Sequence, residues 1–192
     1  MKTRRSYTMG ARAQAVQETR RRILDATWRL STEQVLASIS LEDVAGSAEV
    51  SVQTVLRQFG SRAGLIEATV AHARAHVVEE RTPPPEDAAA ALSLLVDHYE
   101  KRGDEVLLLL AQERTDPVVR SITDGGKSEH RWWIEQVFES SDDALTDLLV
   151  VATDVYAWKL LRRDRGLTRR QTEQRIRSMV EAILAAAGRE GR

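Results

Sequence analysis

Residues 40–62, SLEDVAGSAEVSVQTVLRQFGSR, decide the fold of this chain because they carry the signals of two short helices and a turn. Ser40 with Asp43 three residues later has the spacing of a capping box and predicts the start of the first helix. Ser51 predicts the start of the second, since its hydroxyl can accept a hydrogen bond from a free amide of the first turn. The four residues between them, SAEV at 47–50, have the length of the break in a helix-turn-helix. The segment is therefore predicted to be a helix-turn-helix.

Apolar residues recur at helical spacing through this segment and predict one small core. They are Leu41, Val44, Ala45, Val50, Val55 and Phe59. The second helix then turns a polar face outward, formed by Val52, Gln53, Thr54, Arg57 and Gln58. Such a face suits the major groove of DNA, where amide tips and methyl groups contact base edges and arginine contacts phosphate or guanine. The pattern indicates a unit that reads DNA.

The segment resembles the tetracycline-repressor (TetR) family of transcriptional regulators. The family pattern T-x-x-x-I/V-A-x-x-A-G-V-S-x-x-T-x-Y-x-x-F-x-S-K-x-x-L is matched here by SLEDVAGSAEVSVQTVLRQFGSRAGL at residues 40–65, and ILDA at 23–26 matches the upstream core of the first helix. The resemblance covers about residues 16–70. It implies a DNA-binding domain of three helices, followed by a helical domain that binds a small-molecule effector and forms a homodimer.

The sequence departs from the family pattern at three positions. Glu49 replaces the turn glycine, so a non-glycine residue must adopt the turn geometry, at a cost of roughly 1 kcal/mol if the turn is left-handed. Leu56 replaces the tyrosine that touches the DNA backbone in the family, so one backbone contact lacks its usual side chain. Arg62 replaces a lysine and keeps its charge. None of these changes breaks the fold.

We expect base contacts from the first turn of the second helix and backbone contacts around it. The predicted DNA-binding residues are Ser40, Ser51, Val52, Gln53, Thr54, Leu56, Arg57, Gln58 and Arg62. Val52, Gln53 and Thr54 are expected at base edges, because the amide of Gln53 can bridge N6 and N7 of adenine. The backbone is expected to be positioned by Ser40, Ser51, Arg57 and Arg62, whereas Phe59 is expected in the core.

The distribution of charge supports this assignment. The formal net charge of the 192 residues is −1, but residues 1–62 carry ten basic and six acidic side chains, a net +4 that leaves −5 for the remainder. A basic head on an acidic body is expected where a DNA-binding module is joined to a domain that does not bind nucleic acid.

Other function classes find no support in the sequence. The chain has no cysteine, so disulfides and thiolate metal sites are excluded. His72 and His76 have a spacing that can chelate a metal, but no third ligand is evident, and we predict neither a metal site nor a cofactor. Phosphate-loop, dinucleotide and nucleophile-elbow motifs are missing, so no enzyme is predicted. With no apolar run of membrane-span length and no signal-peptide core in residues 1–10, the protein is expected to be cytoplasmic, without a membrane partner.

The rest of the chain reads as helical, without any strand signal, and predicts an all-α fold of about nine helices. Residues 1–10 are predicted to be a flexible basic arm. A DNA-binding domain is predicted at 11–81, with its helix-turn-helix at about 40–60, and a helical effector-binding and dimerisation domain at 86–192. The boundary between them is set by Pro83-Pro84-Pro85, because proline cannot continue a helix.

Helix breakers set the predicted helix ends of the second domain. Gly103 is expected to end a helix at 86–102, and Asp104 to start the next at 105–115. Asp124-Gly125-Gly126 is expected to form a flexible loop between a short helix that begins at Pro117 and a helix at 127–139. A single long helix is predicted at 142–165, and a last one after Gly166, where Thr168 and Gln171 have the spacing of a capping box.

Apolar stripes on these last two helices predict the surface on which two copies pair. The predicted interface residues are Leu145, Leu149, Ala152, Ile176, Met179, Val180 and Ile183. In the family such helices pair as a four-helix bundle, and a two-fold dimer sets two recognition helices about 34 Å apart, one turn of DNA. The alternative is that both stripes pack inward on their own chain.

The resemblance also implies an effector cavity in the second domain. Its candidate lining residues are Tyr99, Leu107, Leu110, Trp132, Trp133, Phe138, Tyr156 and Trp158. Each of these side chains, taken singly, is better explained as ordinary core than as a ligand contact. The tryptophan pair beside the glycine loop is the predicted mouth of the cavity, and the pattern does not indicate the chemistry of the ligand.

The predicted function is that of a ligand-responsive repressor that binds a palindromic operator on double-stranded DNA as a homodimer. Its effector would shift the population toward a spacing of the DNA-binding domains that misses the operator. One alternative is an activator of the same architecture. Another is a TetR-like ligand-binding or adaptor protein with weakened DNA binding, which Glu49 and Leu56 favour and the basic, polar N-terminal face opposes.

Overall fold

A computed structural model describes residues 3–82 and 87–190, and over these residues the chain is helical and contains no strand. The predicted all-α fold is confirmed. The α-helices are α1 (Thr3–Glu33), α2 (Leu41–Ser47), α3 (Val52–Phe59), α4 (Arg62–Arg81), α5 (Ala88–Gln112), α6 (Pro117–Phe138), α7 (Asp143–Thr153), α8 (Val155–Lys159) and α9 (Arg169–Glu190). A 3₁₀ turn lies at Leu36–Ser38 and a π-helical turn at Leu160–Asp164. None of the described helices is long and apolar enough to cross a membrane.

The chain divides into two compact units, Met1–Ala75 and His76–Arg192. α4 contributes residues to both, and it ends at Arg81, just before the prolines at 83–85. The boundary predicted at those prolines lies outside the described residues. The first unit holds the predicted helix-turn-helix, and the second holds the helices predicted to bind the effector.

The first helix begins at Thr3, eight residues before its predicted start. Residues 3–10 were expected to be a flexible arm, and their backbone is helical instead. This stretch contains no proline, and once a helix is nucleated each further residue adds one hydrogen bond. The rest of the predicted arm, residues 1 and 2, lies outside the described residues.

The helix-turn-helix is built as the sequence predicts. The Ser40 hydroxyl accepts from the Asp43 amide at 3.0 Å, and the Asp43 carboxylate accepts from the Ser40 amide at 2.9 Å, which completes the capping box. The Ser51 hydroxyl accepts from the Thr54 amide at 3.1 Å and starts α3. In the turn, Glu49 has a φ of 54°, so the left-handed geometry considered for this position is present. A non-glycine residue there costs roughly 1–2 kcal/mol of backbone strain.

The glycine predicted to end a helix at 102 lies inside α5, so that prediction is wrong. Gly103 is buried, and a Cβ at this position would meet the indole of Trp158 at 2.4 Å. The glycine is therefore explained by close packing rather than by a helix end. Asp104 does not start a helix either; its carboxylate accepts from the guanidinium of Arg163 at 2.8 Å.

The predicted loop at Asp124-Gly125-Gly126 is also wrong, because α6 runs through it without a break. Two interior glycines cost a helix about 1 kcal/mol each. The carboxylate of Glu113, at the end of α5, binds on both sides of the pair: it accepts from the Thr123 hydroxyl at 2.8 Å and from the Lys127 ammonium at 2.6 Å. These contacts hold the helix on either side of its weak point.

The single helix predicted at 142–165 is broken at Asp154, which has an extended backbone with φ −65° and ψ 153°. Its carboxylate accepts from the Tyr156 amide at 2.8 Å and starts α8. The Thr153 carbonyl at the end of α7 accepts from the buried Tyr99 hydroxyl at 3.0 Å. The break is therefore stabilised by a cap on one side and by a tertiary hydrogen bond on the other.

The core of the second unit collects buried side chains from α5 to α9. They are Ala91, Leu92, Leu95, Val96, Tyr99, Trp133, Ile134, Leu149, Ala152, Val155, Trp158, Ile176 and Val180. Trp158 is fully buried and lies against Gly103 and Tyr99. α9 starts with the predicted capping box, in which the Gln171 side chain accepts from the Thr168 amide at 3.0 Å.

Gly103→Ala is expected to destabilise the second unit, because the added methyl group has no room beside Trp158. Overpacking of this kind costs about 1–3 kcal/mol, which exceeds the gain of about 1 kcal/mol from replacing a helical glycine. Gly126→Ala is the matched control, since a Cβ there meets nothing within 4 Å. Urea unfolding should show a lower free energy of unfolding for the first variant and an unchanged or higher one for the second. An equal increase in the free energy of unfolding for both variants would show that Gly103 and Trp158 are not tightly packed.

Candidate DNA-reading surface and ligand site

The exposed face of α3 carries the side chains predicted to reach DNA. Val55 is buried and anchors the helix, whereas Gln53, Leu56 and Arg57 are exposed. The other predicted contacts on this helix, Val52, Thr54 and Gln58, are half-buried. The outward face is thus polar except for Leu56, which is 40 % exposed, a high fraction for a leucine.

The two serines of this surface are bound within the chain. The Ser40 hydroxyl donates to the Asp43 carboxylate at 2.7 Å, and its hydrogen bonds hold the pKa of Asp43 below its ordinary value. The Ser51 hydroxyl lies 2.9 Å from the Thr54 hydroxyl. Both serines therefore fix where a helix starts. A contact of either with DNA stays a prediction.

Arg62 has a structural role that the sequence reading did not foresee. Its Nε donates to the carbonyl of Ile39 at 3.1 Å and its Nη2 to the carbonyl of Leu36 at 2.6 Å. These two bonds tie the start of α4 to the segment before α2. Two guanidinium nitrogens are thereby bound to the backbone, and a contact of Arg62 with DNA stays a prediction.

Arg20 also supports α3, and no motif marked it for that role. Its guanidinium lies over the ring of Phe59, 4.4 Å from the centroid, and its Nη1 donates to the Gln58 carbonyl at 3.2 Å. A cation at the C-terminal end of a helix interacts favourably with the helix dipole. Arg20 thus stabilises the end of the helix whose exposed face carries Arg57.

The structure divides the predicted ligand-binding residues between core and surface. Tyr99, Trp133 and Trp158 are buried in the core of the second unit, and Leu107, Leu110 and Phe138 are partly buried and pack against that core. Trp132 and Tyr156 are 58 % and 53 % exposed. Neighbours on a helix point about 100° apart, so Trp132 and Trp133 cannot share one face. The mouth predicted beside a glycine loop is wrong, because α6 is continuous there.

A buried polar cluster surrounds Trp133, and sequence reasoning missed it. Arg81 donates through Nη2 to His130 Nδ1 at 2.9 Å, and its guanidinium lies over the Trp133 ring, 4.6 Å from the centroid. The Trp133 indole donates to the Arg81 carbonyl at 3.0 Å. His130 Nε2 lies 3.1 Å from the Thr153 hydroxyl, which donates to the Leu149 carbonyl at 2.7 Å. No pattern in the sequence links these residues.

The contacts of His130 fix its protonation. An arginine can only donate, so Nδ1 must be an acceptor, and Nε2 carries the proton that it donates to Thr153. Burial, and next the charge of Arg81, lowers the pKa of His130 to about 3. The same two causes lower the pKa of the nearby His98 to about 4, although His98 Nδ1 lies 3.3 Å from a Glu80 oxygen. Both imidazoles are therefore neutral at pH 7.

Most residues predicted for a dimer interface face the core of their own chain. Leu149, Ala152, Ile176 and Val180 are buried, and Leu145 and Ile183 pack against the same core. These stripes therefore pack inward on their own chain, as the alternative interpretation describes, and the surface on which two copies pair stays a prediction. Of the predicted set Met179 is exposed, by 37 %, and the exposed leucine and valine of α7 are Leu148 and Val151, at 55 % and 70 %.

Comparisons with known proteins agree with this architecture. Residues 23–69 match the profile of bacterial regulatory proteins of the tetR family. A transcriptional regulator from Rhodococcus sp. RHA1 superposes with a TM-score of 0.66 at 17% identity, over 87% of this chain and 96% of that one. A TetR-like transcriptional regulator from the same organism superposes with a TM-score of 0.63 at 18% identity, over 87% of this chain and 96% of that one. A protein assigned as a transcriptional regulator from Saccharomonospora viridis, solved in complex with choline, superposes with a TM-score of 0.58 at 21% identity, over 86% of this chain and 96% of that one. No curated protein matches the chain.

The neutral state of the two buried histidines predicts a loss of stability in mild acid. In the folded protein their pKa values lie below the unfolded value of about 6.5, so the unfolded chain takes up protons first as the pH falls. The part of the folding stability that depends on neutral His98 and His130 is fully present above pH 6.5 and is lost as the pH falls toward 4. The free energy of unfolding should fall by about 2 kcal/mol per histidine between pH 7 and pH 5.

Urea unfolding at a series of pH values measures this loss, and His98→Gln is expected to remove about half of it. His76→Gln, which removes an exposed histidine, serves as the control for loss of an imidazole. An unchanged pH dependence in His98→Gln would show that another group titrates.

Proposed function

Because this chain carries a TetR-family DNA-binding domain at residues 23–69 and the fold of TetR-like regulators, we propose that it is a cytoplasmic, ligand-responsive repressor. It would bind a palindromic operator as a homodimer and catalyse no reaction. The observation that carries this proposal is the exposed face of α3, whose helix is capped and tied by contacts within the first unit. A recognition helix held in this way can present Gln53 and Arg57 to a groove without being ordered first.

The dimer is proposed on the apolar residues that the second unit leaves exposed. Leu148 and Val151 lie three positions apart on α7 and therefore on one face, and Met179 is the exposed methionine of α9. Contiguous exposed apolar side chains mark contact surfaces for other proteins. A second copy is the occupant that fits, because two-fold pairing of a regulator matches the symmetry of a palindromic operator.

The proposal is tested by binding of the purified protein to DNA from upstream of its own gene, titrated against salt with random DNA as competitor. Binding that resists the competitor, has a steep salt dependence and protects two half-sites supports a dimeric operator-binding regulator. Weak binding that is equal for all sequences would contradict it and favour the adaptor alternative. In that case the weak binding is explained by two residues: the exposed Leu56, which stands where the family pattern has a tyrosine, and the acidic Glu49 in the turn.

Gln53→Ala and Arg57→Ala are expected to weaken operator binding in different ways. Loss of an amide that reads a base edge costs about 1–3 kcal/mol at one base step and relaxes specificity there. Loss of a phosphate contact weakens all sequences alike and flattens the log–log salt slope by about one unit. Arg170→Ala, at an exposed arginine of α9, is the control for loss of charge. A uniform loss in Gln53→Ala, or an unchanged slope in Arg57→Ala, would refute the role given to that residue.

Val151→Glu is expected to convert the dimer to a monomer, because it places a charge on the most exposed apolar side chain of α7. Light scattering coupled to size exclusion measures the mass directly. Val118→Glu makes the same change at an exposed valine of α6 and is expected to leave the mass unchanged. A wild-type mass of one chain, 21.5 kDa, would contradict the dimer itself.

A further inference from the structure

The second unit contains a buried arginine, Arg81, for which the described residues provide no anionic partner. Arg81 is 9 % exposed, its Nη2 is bound to the neutral His130, and no described residue forms a hydrogen bond with its Nε. Among the residues that the structure describes, no carboxylate forms an ion pair with it, and Glu129 acts on its charge only at a distance. Burial accordingly lowers the pKa of Arg81. The charge of Arg81 is thus buried without a counter-charge from the part of the unit that the structure describes.

Four other arginines of this unit form ion pairs with carboxylates. Arg102 binds Glu80 at 3.0 Å, Arg162 binds Glu100 at 2.9 Å, Arg163 binds Asp104 at 2.8 Å and Arg169 binds Asp97 at 2.7 Å. All four are more exposed than Arg81. A buried charge is normally paired, because removing it from water is costly unless a counter-charge replaces the solvent. Arg81 has the greatest need of an anion and lacks one within the described chain.

The surroundings of Arg81 define which anion would fit. Its guanidinium lies over Trp133, and His130 stacks on the same indole with centroids 6.1 Å apart and an interplanar angle of 14°. The Tyr99 hydroxyl is already committed to the Thr153 carbonyl. Among the described residues, the side chains that contact the Arg81 guanidinium are therefore the neutral His130 and the indole of Trp133, and neither is a cation. That combination suits a single negative charge on an apolar body, whereas a phosphate dianion would require further donors.

We propose that Arg81 anchors a binding site for an organic monocarboxylate, and that this compound is the effector of the regulator. A carboxylate oxygen accepts from the Nε of Arg81, and the apolar part of the ligand lies among the aromatic side chains around it. The effector role rests on the proposed function; the binding site itself rests on the burial and missing partner of Arg81.

The test uses pairs of probes that differ only in charge: benzoate with benzamide, and hexanoate with hexanamide. Each is titrated against the full-length protein without DNA, with tryptophan fluorescence and Tm as readouts. At least one carboxylate is expected to raise Tm and to bind roughly 10–100-fold more tightly than its amide, as expected for a charge-assisted bond in a buried site. If neither pair shows a preference for the charged member, the proposal is overturned. If inorganic phosphate raises Tm as much as the carboxylates do, the proposal that the ligand is an organic carboxylate is overturned.

Arg81→Gln is expected to abolish the preference for the carboxylate while leaving the Tm of the ligand-free protein unchanged or higher. Arg162→Gln is the matched control: it removes an arginine paired with Glu100, so it should lower Tm and leave carboxylate binding intact. Arg81→Lys keeps the charge and should retain part of the preference, which guards against a folding defect in Arg81→Gln. Full carboxylate binding in Arg81→Gln would refute the site.

Effects on DNA are measured separately. Failure of the protein to bind DNA would overturn the proposed regulator and leave the carboxylate site standing. If a carboxylate binds but the affinity for the operator is unchanged, the binding site is supported and its role as the effector site is refuted.

Discussion

The end of α7 inside the core is the constraint on which the second unit depends. A helix that stops among apolar side chains leaves backbone carbonyls that must find donors, since an unpaired buried polar group costs about 1–3 kcal/mol. Tyr99 supplies the donor for the Thr153 carbonyl. The Thr153 hydroxyl in turn orients His130, which presents Nδ1 to Arg81. One helix break therefore sets the tautomer of a histidine and the position of a buried cation.

The first unit was predictable because its signals are local. Capping serines, the spacing of apolar residues and the length of the turn all lie within residues 40–62. The caps and the turn are found as predicted. Of the six residues predicted for the core, Val44, Ala45 and Val55 are buried, and the others, Leu41, Val50 and Phe59, are half-buried. Even the strain at Glu49 follows from the position of one missing glycine. The roles of the arginines were not predictable: Arg20 and Arg62 make contacts 38 and 23 residues away in sequence, so no local pattern separates them from Arg57.

The second unit shows where local rules fail. Gly103 and Gly125-Gly126 looked like helix ends, yet the first makes room for Trp158 and the others lie in a helix held by Glu113. The real break at Asp154 carries neither glycine nor proline. Helix propensity differs by only about 1 kcal/mol per residue, and tertiary packing easily exceeds that amount. α7 is apolar on both faces, with Leu149 buried and Leu148 and Val151 exposed, so the sequence pattern alone does not separate the face that packs inward from the face that is left exposed.

Ligand response requires an interaction that differs between two states, because a ligand with equal affinity for both shifts neither. An arginine with a permanent carboxylate partner would gain little from a new anion. Arg81 instead carries a charge that the described chain leaves without a counter-charge, beside two histidines that its own field helps to keep neutral. An arriving carboxylate relieves that cost only where it reaches Arg81, so its binding energy favours whichever state opens the site. The missing ion pair is thus a source of differential affinity, and a fully paired core would not provide one.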